Sequence, residues 1–299
     1  MQSLVARVMQ GAGVPNVLVR LGASPHGYAM RPSEAAALEA AHLVFWMGEG
    51  LTPWLEGAID ALAGEAHVVE LLGAAGSRVL PFREGVTFAE HADHGDAEKG
   101  HEGHAEEKAG HDDHADAHDH DHDHAHDGAD PHAWLDPANA RAWLGLIAQE
   151  LAERDPANAA LYAANAAAGQ AELTALAEEI VAQLDPVRER PFLVFHDAYQ
   201  YFETAFDVTA AGAIALGDAA APGPARIAAL REMAEARGVT CVFSEPQFDP
   251  KLVETVFGDV ATHGVLDPMG SEVAMGPGLY PQMLRDMAGA MVACLGEAG

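Results

Sequence analysis

The chain has 299 residues, of which 49% are hydrophobic and 21% charged, and a formal net charge of −30. Such a length suits two ordinary domains or one large one, with apolar material enough for a core. So acidic a surface argues against nucleic acid as a partner and for a cation.

Short apolar runs alternate with helical patterns, which predicts an α/β fold with largely parallel sheets. The start, MQSLVARVMQGAGVP, lacks an apolar core followed by a small-residue cleavage site. It does not read as a signal peptide, so the chain is expected to be cytosolic or to have lost a leader. No apolar run reaches the roughly eighteen residues of a membrane span. Residues 14–20 (VPNVLVR) read as a strand. Pro32-Ser33-Glu34 then opens a helix capped by Ser33 and reaching His42. Residues 43–47 (LVFWM) read as a buried strand, 53–63 as a helix and 67–72 as another strand. The stretch 73–90 carries no clear pattern.

Next comes a tract without apolar periodicity. Between His91 and His126 lie eleven of the seventeen histidines, and residues 118–126 run HDHDHDHAH. Residues 93–130 hold fourteen acidic side chains and two lysines, a net of −12, so the rest of the chain, at −18, is acidic too. The tract offers too little apolar surface to offset chain entropy, and a mobile solvated loop at about 91–130 is expected. Neutral imidazoles and carboxylates suit borderline divalent metals, zinc first among the common ones.

Asp136-Pro137 then caps a helix expected to end near residue 153. Residues 156–184 are strong helix formers interrupted only by Gly169. At 1.5 Å per residue this segment spans on the order of 40 Å, long enough for a rigid spacer between lobes. The second half repeats the alternation. Strands are expected at 192–195, 208–216, 239–244 and 260–266, with helices at 199–206, 224–237, 250–256 and 279–295. The expected architecture is therefore two α/β lobes with mainly parallel sheets joined by a long rigid helix, with a metal site in the interlobe cleft. The domain bounds are 1–155, linker 156–185 and 186–299.

Six histidines lie outside the tract: His26, His42, His67, His132, His196 and His263. His42 and His67 sit within or beside core elements and are not expected to ligate; His263 is ambiguous. His26, His132 and His196 fall in loops at the ends of predicted elements, from both halves of the chain. Three neutral imidazoles with one further oxygen make a tetrahedral zinc site. The two cysteines, Cys241 and Cys294, lack C-x-x-C spacing. They are either a disulfide closing a long loop or two small core thiols.

These residues carry a resemblance. Gly22-Ala23-Ser24-Pro25-His26-Gly27-Tyr28 with Arg31-Pro32-Ser33 resembles the first ligand motif of the zinc-binding substrate-binding proteins of ABC importers, the ZnuA type. His132-Ala133-Trp134-Leu135-Asp136-Pro137 resembles the second motif, and Phe195-His196-Asp197-Ala198-Tyr199 the third. Ser244-Glu245-Pro246-Gln247-Phe248 and Leu266-Asp267-Pro268-Met269-Gly270 are similar to further family signatures, and so is the acidic His-rich loop. The match runs over nearly the whole chain in order. It implies a monomeric periplasmic protein that holds Zn2+ in the interlobe cleft and delivers it to a membrane permease. The implied ligands are His26, His132 and His196, with Asp267 or water fourth; a histidine at the third position favours zinc over manganese. It further implies a Cys241–Cys294 disulfide. It also implies a signal peptide and a first strand upstream of Gln2, both absent from this sequence.

Two rivals remain. A catalytic zinc also keeps three protein ligands and an open position, with Glu245 as the candidate base, but no H-E-x-x-H occurs. A zinc store or chaperone built on the His-rich tract alone is the other.

Overall fold

Apolar runs flanked by helices become strands that pair in parallel, and three of the four in the second half of the chain are buried. The computed structural model describes residues 1–83, 88, 128–215 and 222–296. Its first half contains α1 (Gln2–Val8), α2 (Pro32–Glu39), β1 (Leu43–Trp46), α3 (Pro53–Leu62), β2 (His67–Glu70) and α4 (Pro137–Arg154). The long helix α5 (Ala159–Leu184) follows. The second half contains β3 (Phe192–His196), α6 (Gln200–Phe206), β4 (Ala210–Ala215), α7 (Pro224–Arg237), β5 (Cys241–Ser244), α8 (Lys251–Phe257), β6 (Thr262–Val265) and α9 (Leu279–Gly296). β1 pairs with β2, and the second sheet has the order β4-β3-β5-β6, parallel throughout. Among the described residues no helix is long and apolar enough to cross a membrane.

The long helix is more than a spacer. Its 26 residues bury Tyr162, Ala166, Gly169, Leu173, Leu176, Ile180 and Leu184, a stripe at helical spacing. That stripe belongs to one core that runs from Leu4 and Trp143 through Phe192 and Phe243 to Leu295. At Gly169 a Cβ would lie 2.9 Å from Leu144 Cδ1, so glycine lets α4 and α5 approach closely. Two smaller clusters cover the outer faces. One joins Leu193, Ile214, Leu230, Val242 and Phe257; the other joins Leu38, Val44, Leu55 and Ile59. A disulfide joins Cys241 on β5 to Cys294 on α9, which ties the last helix to the second sheet.

Several expectations are corrected. Residues 14–20 form no strand. Val14 is 85% exposed, Pro15 has no N–H to give, and among the described residues the only ladder β1 makes is with β2. Instead this segment helps line an apolar cavity of about 550 Å3 beside β1, together with Met1, Phe45, Met47 and Leu279. The start of the chain, given no element from sequence, is α1, whose Leu4, Val5 and Val8 join the main core. The cap of α2 is Arg31, one residue before Pro32, rather than Ser33. Pro32 takes the first helical position, where its missing N–H costs nothing. Asp136 does cap α4, accepting from Ala138 N at 2.8 Å.

Candidate metal centre

Each of three loops is fixed by its own neighbours before it presents a histidine. Trp54 Nε1 on α3 donates to Pro25 O at 2.7 Å, immediately before His26. Beyond His26, buried Glu34 accepts from Tyr28 Oη at 2.8 Å, from Arg20 Nε at 2.9 Å and from Arg31 N at 2.7 Å. His132 opens the turn Ala133–Leu135, which is pinned by Trp134 Nε1 donating to Pro268 O at 2.9 Å. His196 is the last residue of β3, and Glu245 follows the end of the adjacent parallel strand β5. Strand C-termini of this kind are where open parallel sheets place ligands.

His132 Nδ1 lies 2.7 Å from Asp130 Oδ1, and His196 Nδ1 lies 2.5 Å from Glu245 Oε1. A carboxylate accepts, so each ring carries its proton on Nδ1 and turns an Nε2 lone pair into the cleft. His26 Nε2 and His196 Nε2 each lie 3.3 Å from His132 Nε2. Tetrahedral zinc with Zn–N of about 2.0–2.1 Å has edges of about 3.3–3.4 Å, so both separations match an ion held between the rings. All three ligand atoms fall within 4.8 Å of one another. His132 and His196 are 4% and 5% exposed, while His26 is half-buried. Trp134 and Phe248 flank the centre, with ring centroids 5.4 Å from His132 and 5.9 Å from His196. Burial pushes the Asp130 carboxyl up to about 7, against the lowering pull of the His132 backbone N–H and of Arg83.

Asp267 stands outside this group of three. Its Oδ1 accepts from Met269 N at 3.1 Å, and its Oδ2 from Ser271 N at 2.5 Å and Ser271 Oγ at 2.7 Å. His263 Nε2 lies 2.6 Å from Ser244 Oγ; His42 is exposed, and so is His67, whose Nε2 is 3.2 Å from Glu150 Oε2. The His-rich tract falls within residues 89–127, outside the described residues. Sequence reasoning missed Asp130, which looks like one more acid at the end of an acidic run. The available signal was its position two before His132. From sequence Glu245 is a candidate base and part of a family signature, with no sign that it holds His196, and Arg83 carries no signal of its own.

A family model described as ZnuA, zinc-uptake complex component A, periplasmic, matches residues 1–294. The high-affinity zinc uptake system protein ZnuA of Brucella suis biovar 1 (strain 1330) is 47% identical over 300 residues, covering 99% of this chain and 90% of that protein. The protein of the same name from Paracoccus denitrificans (strain Pd 1222) is 42% identical over 296 residues, covering 98% and 89%. A crystal structure of ZnuA superposes with a TM-score of 0.72 at 26% identity, covering 98% of this chain and 95% of that one.

Proposed function

Because the chain belongs to the ZnuA family of periplasmic zinc-uptake components, we propose that it captures Zn2+ in the cleft and delivers it to an ABC-type importer in the membrane. The observation that carries this reading is the grouping of His26, His132 and His196, in which His132 Nε2 lies 3.3 Å, a tetrahedral zinc edge, from the Nε2 of each of the other two. Three imidazoles form a nitrogen-rich donor set that suits zinc better than the oxygen-preferring manganese. Zn2+ brings two positive charges into a largely buried place. Asp130 and Glu245, each one hydrogen bond behind a ligand, supply two compensating carboxylates. The fourth ligand is water in this reading, because the Asp267 oxygens already accept three bonds from Met269 and Ser271. The protein works in the periplasm, where the relatives' uptake system collects its metal.

Chelator-competition titration of the metal-free protein tests the ligand set. His26→Ala, His132→Ala and His196→Ala should each weaken zinc binding by orders of magnitude, since each opens a coordination position. His42→Ala should leave it unchanged. Tight binding that survives all three ligand substitutions defeats the assignment. The metalloenzyme alternative needs a base at the metal, and Glu245 is engaged in holding His196. Hydrolysis of a generic ester or peptide by the zinc form would favour that alternative.

A further inference from the structure

Arg83 crosses from the first half of the chain to the second. It lies just past Pro81, whose backbone bridges to Ala129, and Leu80 O accepts from Asp130 N at 2.8 Å. The segment is thus tied to the backbone that carries His132. The Arg83 guanidinium, however, ends among residues of the other half. Nε donates to Asp197 Oδ1 at 3.0 Å and Oδ2 at 3.2 Å, and Nη2 also donates to Asp197. Nη1 and Nη2 donate to the two Glu203 oxygens at 2.8 and 2.9 Å. Asp197 and Glu203 are buried, each at 6% side-chain exposure, and Arg83 is mostly covered, at 15%. Phe88 covers the guanidinium, 3.7 Å from Cζ to the ring centroid, and its own N–H donates to Ala211 O on β4 at 3.0 Å. Burial alone would lower the guanidinium's pKa, but Glu203 and Asp197 hold it well above its ordinary value, so the charge is permanent.

Asp197 directly follows His196, and the next amide, Ala198 N, closes back on His196 O at 3.0 Å. Fixing the Asp197 carboxylate therefore fixes the turn that leaves the ligand. Glu203 also accepts from Ala210 N at 3.0 Å, so the other end of the clasp is anchored to the β4 backbone. A planar guanidinium can grip two carboxylates at once in fixed geometry; an ammonium cannot. We propose that Arg83 is a positioning residue for the metal centre: by clasping Asp197 and Glu203 from the opposite half of the chain, it sets His196 against His132 at metal-binding distance before metal arrives. The inference rests on the ligand set proposed above.

The test uses Arg83→Lys and Arg83→Met in the full chain, each also combined with His196→Ala. Zinc affinity is read by chelator competition, and the visible spectrum of the Co2+ form reports ligand geometry. Arg83→Met should weaken zinc binding about 10–100-fold, the usual cost of losing a partner one step behind a ligand, with Arg83→Lys between it and the parent. The Co2+ spectrum should shift in both. In the His196→Ala background the Arg83 changes should weaken binding no further, since the ligand they position is gone. Wild-type affinity in folded variants, or an equal loss with and without His196, overturns the proposal. Should Arg83→Met fail to fold with two uncompensated buried carboxylates, Arg83→Lys decides alone: parental affinity with an unchanged Co2+ spectrum is then the contrary result. If His196→Ala leaves affinity intact, the ligand reading itself falls and takes this one with it. If His196→Ala weakens binding and the Arg83 variants do not, only the role of Arg83 falls.

Discussion

Asp130 puts function and stability in opposition within one side chain. Bound to His132 Nδ1, it raises the basicity of the ring, so Asp130→Asn should lower zinc affinity about 10–100-fold, less than removal of His132 itself. In the metal-free protein the sign reverses. The folded carboxyl titrates at about 7, above the ordinary 3.8, so the folded state holds a proton that the unfolded chain has released. Its effect on stability is therefore nil below about pH 4, grows more unfavourable as pH rises, and is complete above about pH 7. Metal-free Asp130→Asn should accordingly melt above the metal-free parent at about pH 8, with the difference gone by about pH 4. Calorimetry at the two pH values, with chelator present, checks this; a variant that melts lower at the higher pH contradicts it. The three histidines were legible because each sits in a short local motif. Asp130, the role of Glu245 and Arg83 were not, because their meaning depends on partners placed by the fold: Glu245 is 49 residues from His196, and Arg83 is 114 from Asp197.

Elements were read well where their signal was local and poorly where it needed a neighbour. The pattern of α4, the helix formers of α5 and the apolar runs of β3 and β5 all became the elements expected of them. The run at 14–20 had the composition of a strand but meets no ladder, and a strand exists only as a pair. The same dependence explains why the two cysteines stayed open on spacing alone. They are 53 residues apart in sequence, yet their Cα atoms stand 6.0 Å apart once β5 and α9 pack. A loop of that length, closed in the unfolded chain, corresponds to about 4 kcal/mol in the chain-entropy model. Replacing Cys241 and Cys294 together by Ala should reduce unfolding stability by about that amount in denaturant titration. Zinc affinity should change far less, since neither sulfur belongs to the three-histidine group. A double variant as stable as the parent would show that packing of α9, not the covalent link, holds that helix to the sheet.

At the scale of the whole molecule, a chain of net charge −30 offers zinc one proposed centre and eleven tract histidines, and the two are expected to differ in affinity. The tract leaves the described fold at Phe88, hydrogen-bonded to β4, and re-enters at Gly128, whose carbonyl accepts from Phe82 N at 3.3 Å. Both junctions are held by the folded part, so the tract can be removed without opening the core. By composition the tract offers little apolar surface to bury, so each metal bound there is expected to carry a chain-ordering cost of about 1–2 kcal/mol per residue fixed. The cleft avoids most of that cost, because Asp130 and Glu245 already orient two of its three rings. The tract should therefore bind several zinc ions, each more weakly than the centre binds one. Its imidazoles compete with protons near pH 6.5 in their ordinary state, so that weaker capacity should fall on mild acidification. Deleting residues 92–127 should lower total zinc per protein, measured by equilibrium dialysis with elemental analysis. One tight site should persist and remain sensitive to His26→Ala, His132→Ala and His196→Ala. Loss of the tight site in a deletion variant that still folds would mean that a tract residue completes the coordination sphere in place of water.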